Sequence, residues 1–206
     1  MSQFFRNNSL SLVMLSCFLV FAIGQSLAGY GVYLDELQDY HRPGISYVAY
    51  LTTGHFLEAI FENWESEFLQ MGAYVVLTAL LIQKGSAESQ KPPEEQTEPK
   101  MSPKQPASWI YRHSLSLALF GLFALSFGLH AIGGVRAYNH EQGLLGNPTI
   151  SVGEYLVHSQ FWFESFQNWQ SEFLSVGALI LLSIWLREAD SPESKPIDAP
   201  DEQTGD

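Results

Sequence analysis

The sequence predicts an all-α integral membrane protein of four spanning helices, arranged as two tandem helical hairpins. Three observations carry that prediction. The apolar residues fall in four blocks separated by polar stretches. The chain repeats itself at an offset of 105 residues. The basic residues gather on one side of the blocks. Averages conceal all of this, because 206 residues with a mean hydropathy of +0.00 look like an ordinary soluble chain until the charges are located.

The first block has no Lys, Arg, Asp or Glu from Leu10 to Leu34, giving an expected span over residues 10–34. About 20 mostly apolar residues suffice to cross the hydrocarbon core. The second expected span, 56–82, has a shorter apolar centre from Phe68 to Ile82. An aromatic-acidic run, HFLEAIFENWESEF, precedes it without Pro or Gly and can continue the helix outwards. The third span, 114–137, has no Lys, Arg, Asp or Glu from Ser114 to Ile132. The fourth, 161–186, copies the second, with QFWFESFQNWQSEF before its apolar centre.

A removable signal peptide is the rival reading of the first block, since Arg6 precedes it and Ser26-Leu27-Ala28 resembles a cleavage site. The internal repeat decides against it. A gapless shift of 105 aligns Ser9-Leu10-Ser11-Leu12 with Ser114-Leu115-Ser116-Leu117, Gly29 with Gly134, and Pro43 with Pro148. The same shift sets Asn63-Trp64 on Asn168-Trp169 and Ser66-Glu67-Phe68-Leu69 on Ser171-Glu172-Phe173-Leu174. A segment beginning at Ser114 is mid-chain, so its counterpart is expected to be a retained helix. Each unit crosses twice, so the repeat is parallel and pseudo-twofold; it lacks the inverted symmetry of many transporters.

The expected organisation is therefore a first hairpin over 1–83, a disordered linker over 84–108, a second hairpin over 109–187 and a disordered acidic tail over 188–206. Linker and tail are rich in Pro, Glu, Gln, Lys and Ser, with little to bury. Eight basic residues lie on the side holding termini and linker, and only Arg42 and Arg136 lie on the other. The positive-inside rule then places both termini in the cytoplasm of a bacterial inner membrane. Eleven acids lie on each side, so the net charge of −12 is concentrated at the outer loops and helix entrances. An acidic chain is not built for nucleic acid, and a single Cys excludes a disulfide framework.

At the Asn-Trp-x-Ser-Glu-Phe element, together with NNSLSLVMLSCFLVFAIGQSLAGY and TTGHFLEAIFENWESEFLQMGAYVVLTALL, the chain resembles a bacterial family of small integral membrane proteins classed as a domain of unknown function. The resemblance implies a four-helix membrane protein and brings no established activity or catalytic residue with it.

Two groups of residues could carry chemistry. His55, Glu58, Glu62 and Glu65 fall on one helical face, where they could hold a cation or relay protons, or form a solvated helix end. Their counterparts Gln160, Phe163, Gln167 and Gln170 carry no charge, which favours the solvated reading. Both units keep Asn63, Ser66 and Glu67, matched by Asn168, Ser171 and Glu172. A carboxylate at a membrane boundary must face water, a partner or the bundle interior. Glu67 and Glu172 could line a polar pathway, or Asn and Ser could satisfy them and pin helix to helix. The HxxE at His55 and Glu58 and the ExxxH at Glu154 and His158 do not recur, and His130 stands opposite Gln25 in the repeat. No metal ligand set, cofactor or catalytic motif is expected.

The resulting expectation is a non-enzymatic protein of the cell envelope acting by interaction or assembly. Its partners would be the lipid bilayer and a membrane protein or a second copy of itself. The alternative is a cation or proton pathway lined by Glu67 and Glu172, and a haem- or metal-binding redox protein ranks third.

Overall fold

The computed structural model describes residues 3–95 and 108–205, and among these there is no β-strand. Most of the expected linker, 96–107, lies outside the described residues. The helices are α1 (Gln3–Asn7), α2 (Ser9–Asp39), α3 (Tyr47–Tyr50), α4 (Gly54–Leu80), α5 (Trp109–Arg112), α6 (Ser114–Leu145), α7 (Val152–Tyr155) and α8 (Ser159–Leu182), with a 3₁₀ turn at Pro93–Glu95. The starts of α2, α3 and α4 precede those of α6, α7 and α8 by 105 residues each.

Two helices, α2 and α6, are long and apolar enough to cross a membrane. Only 6% of the most apolar stretch of α2 and 17% of that of α6 is buried within the protein. Long apolar helices left this bare suit a hydrocarbon surrounding better than water, which favours membrane association.

Both helices run beyond the expected ends at 34 and 137. Asp35 to Asp39 and Tyr138 to Leu145 hold no Pro, and the polar side chains continue the helix outside the apolar block. The two ends close alike. Gly146 takes a left-handed φ of 77°, and the Asn147 N–H reaches back to the Gln142 carbonyl at 2.9 Å. His41, 105 residues earlier, takes φ 55°, and the Arg42 N–H reaches the Leu37 carbonyl at 2.8 Å. This is the Schellman closure, which glycine enters without the Cβ penalty that His41 bears. α7 opens on a capping box in which Ser151 N–H donates to Glu154 at 2.7 Å and Glu154 N–H donates to Ser151 Oγ at 3.3 Å.

The chain divides into two compact units. The first comprises Met1–Ile60 and Leu129–Tyr155, the second Phe61–Gly128 and Leu156–Asp206. The first is cored by Tyr33, Leu37 and Tyr50, packed on by Tyr30, Tyr47 and Phe56. Its tyrosines are tied by polar bonds: Ser26 Oγ meets the Tyr47 hydroxyl at 2.7 Å, and Tyr30 donates to the Ile45 carbonyl at 2.6 Å. Tyr50 lies over Gly29 and Tyr155 over Gly134, so a Cβ at either glycine would overlap the ring. The second unit packs aromatic rings from α6 and α8, with Phe127 edge-on to Phe161 at 5.1 Å and Phe123 to Trp169 at 6.2 Å.

Residues 84–95 and 188–205, whose composition predicts disorder, form successive turns of the second unit. Their bonds come from Ser, Thr and Lys side chains and backbone carbonyls rather than from an apolar core.

Candidate functional site

The run from His55 to Phe68 contains neither Pro nor Gly, so α4 carries its acids without interruption. Each is taken up differently. In the first unit the His55 ring lies 5.4 Å from Tyr33 and 5.9 Å from Tyr50, with Nδ1 3.4 Å from the Tyr50 hydroxyl. Burial pulls the His55 pKa below its ordinary 6.5, and the negative charge of Glu36 partly opposes this. His55 precedes the expected span at 56–82. Glu58 accepts a hydrogen bond from the Tyr155 hydroxyl at 3.1 Å.

In the second unit Glu62 is half-buried and Glu65 is 0% exposed. One oxygen of Glu65 accepts from Ser165 Oγ at 2.8 Å and from Trp169 Nε1 at 3.2 Å. Its carboxylate therefore pins α4 to α8. A buried carboxyl oxygen needs donors of this kind.

The repeated pair behaves otherwise. Ser66 and Ser171 donate to the carbonyls of Asn63 and Asn168, each within its own helix, at 2.7 and 2.8 Å. Asn168 donates to the Glu164 carbonyl at 3.3 Å. These side chains do not serve the neighbouring carboxylates. Glu67 is exposed, Glu172 half-buried, and the two lie within electrostatic reach of each other. Among the described residues neither carboxylate has a hydrogen bond or ion pair.

Below the pair a groove of about 320 Å³ runs between α4 and α8, lined by Gln70, Tyr74 and Thr78 opposite Phe173, Gly177 and Ile180. Glu67, Gln70, Tyr74 and Thr78 follow one another at i, i+3, i+7 and i+11, which places them along one helix face. At the far end the Tyr74 hydroxyl donates to Glu88, and Glu193 also lies within electrostatic reach of Tyr74. No charged residue follows Glu67 in the apolar block, so charge alone does not mark the groove in the sequence. The polar stripe at helical spacing was the readable signal.

His158 and Glu154 serve local caps. His158 caps α8 by accepting from the Gln160 N–H at 3.2 Å, and Glu154 belongs to the α7 capping box, where hydrogen bonds from Ser151 hold its pKa below the usual carboxylate range. His130 is fully buried, and Gln25 donates to the Ala59 carbonyl at 3.0 Å.

No curated protein and no solved structure matches the chain. A family described as a domain of unknown function, DUF6766, matches residues 1–206. The chain is an all-α, membrane-associated member of that family.

Proposed function

We propose that the chain is a multi-pass protein of a bacterial inner membrane, with four spans in two tandem hairpins and both termini cytoplasmic, and that its α4–α8 seam moves a proton or small cation. The observation that carries the reading is that Glu67 and Glu172, at corresponding places in the repeat, lie within electrostatic reach of each other. Two carboxylates within electrostatic reach at a membrane boundary, without hydrogen-bond donors, suit a small cation or a proton in transit. The recurrence of helix starts at 105 residues supports the tandem arrangement, and the eight-to-two distribution of basic residues supports the orientation.

From the pair, Gln70, Tyr74 and Thr78 supply exchangeable or hydrogen-bonding groups along the groove. Glu88, bonded to Tyr74, provides a carboxylate at its other end.

The test is the full-length chain reconstituted in liposomes carrying an internal pH dye, with a K⁺ gradient to set the potential. Proton or cation flux above that of empty vesicles is expected, falling at least tenfold in the Glu67→Gln, Glu172→Gln double variant. Absence of flux from well-folded protein would sink the reading. A membrane partner retained through purification of that inactive protein would instead favour an assembly role.

A further inference from the structure

After α4 and after α8 the chain makes the same turn. Ser86-Ala87-Glu88-Ser89 and Ser191-Pro192-Glu193-Ser194 stand 105 residues apart. Each follows a residue in the left-handed region, Gly85 at φ 85° and Asp190 at φ 62°. In the first, Ser89 Oγ accepts from the Gln83 N–H at 2.8 Å, and Ser86 Oγ from the Glu88 N–H at 3.2 Å. In the second, Ser194 Oγ accepts from the Glu188 N–H at 2.9 Å, and Ser191 Oγ from the Glu193 N–H at 3.2 Å. Extending the 105-residue comparison past the apolar helices makes this legible in the sequence.

The two turns differ at the next residue, Gln90 in one and Lys195 in the other. Lys195 is 1% exposed. Five carbonyl oxygens stand within hydrogen-bonding distance of its three N–H donors: Gly85 at 2.5 Å, Asp201 at 3.0 Å, Ile184 at 3.1 Å, Gln203 at 3.2 Å and Pro200 at 3.5 Å. Around it the Ser86 and Ser183 hydroxyls meet at 2.9 Å, Gly85 N–H donates to Thr204 Oγ1 at 2.9 Å, and Gly205 N–H donates to the Ser86 carbonyl at 3.0 Å. A buried ammonium is costly unless oxygen dipoles replace its water, and these carbonyls come from Gly85 before the first turn, from Ile184 just past α8 and from the C-terminal segment. Burial and the Arg187 charge lower its pKa from 10.5, while Asp201 and Glu202 oppose them.

We propose that residues 83–92 and 188–205 form one cap over the end of the α4–α8 groove, closed by the Lys195 ammonium acting as an internal cation in a carbonyl cage. The cap bears on the groove because Gln83, Glu88 and Ser89 line it. The cap itself does not depend on the groove carrying ions, and its test reads no flux.

The experiment is digestion of the full-length protein in detergent by a Glu-specific protease, following cleavage after Glu188, Glu193 and Glu202. Wild type is expected to resist at these bonds, and Lys195→Met to be cut at least tenfold faster while its helical circular dichroism is unchanged. Lys195→Ala leaves space at the cage, so millimolar propylammonium should slow its cleavage. Rapid cleavage of wild type, equal rates in wild type and Lys195→Met, or a Lys195→Ala defect that no alkylammonium slows would each overturn the proposal. Should Lys195→Met accumulate poorly, the amine response of Lys195→Ala decides alone.

Discussion

Tyr50 and Tyr155 occupy matching places in the first unit, yet their hydroxyls serve different partners. Each ring covers a glycine 21 residues before it, Gly29 or Gly134, and each tyrosine is at most 1% exposed. The Tyr50 hydroxyl faces His55, whereas that of Tyr155 donates to Glu58. In these two pockets the shape recurs at an offset of 105 residues and the partner of the hydroxyl does not. The second unit repeats the lesson, since buried Glu65 corresponds to exposed Gln170. Packing sets the frame in both places, and a few substituted side chains give each place its own electrostatics.

The largest effect is expected where shape recurs. Gly134→Val would drive its Cβ to 2.6 Å from the Tyr155 ring. In a fully buried site such overpacking costs roughly 3 kcal/mol. Gly29→Val should cost about as much against Tyr50. Thermal midpoints in detergent check both, and a loss confined to one glycine would break the parallel between the pockets.

Next comes the polar pin. Glu65→Ala leaves the Ser165 hydroxyl and the Trp169 N–H without this acceptor, for a loss of about 2 kcal/mol. Gln170→Ala, at the corresponding exposed position, should change the midpoint little. Equal losses would mean that the two positions are not chemically distinct.

A smaller effect concerns pH. A base whose pKa is lowered by folding is protonated more readily in the unfolded chain. The contribution of His55 is therefore complete above its ordinary value of 6.5 and is lost as pH falls through the lowered folded value. The midpoint should fall between about pH 7.5 and about pH 5.5, and His55→Phe should flatten that fall. An unchanged pH profile in the variant would assign the acid sensitivity elsewhere.

The smallest expected change is a gain. His41→Gly would remove the left-handed Cβ penalty at the end of α2, raising stability by up to about 1 kcal/mol. The corresponding exchange Gly146→His should lower it by a similar amount, as judged by the same midpoints.

The helix class and the starts of the long helices were legible because apolar blocks and uninterrupted runs leave a local pattern. The end of α2 was not, since histidine is no marker for a left-handed closure. Glu67 and Glu172 stand out through the repeat, and the two lie within electrostatic reach of each other. The Tyr74–Glu88 bond joins residues separated by the end of a helix and a turn, which periodicity does not register. The Lys195 cage was invisible for a more basic reason: its ligands are backbone carbonyls, which every residue possesses.

Salt distinguishes the two cations near the C-terminal end. Arg187 reaches Asp201 at 3.0 Å, and the Asp201 side chain is 56% exposed, so dissolved ions weaken that pair. Lys195 is held beneath the surface by dipoles, where mobile ions cannot come between charge and ligand. Its hold is therefore indifferent to ionic strength, in brine or in dilute buffer alike.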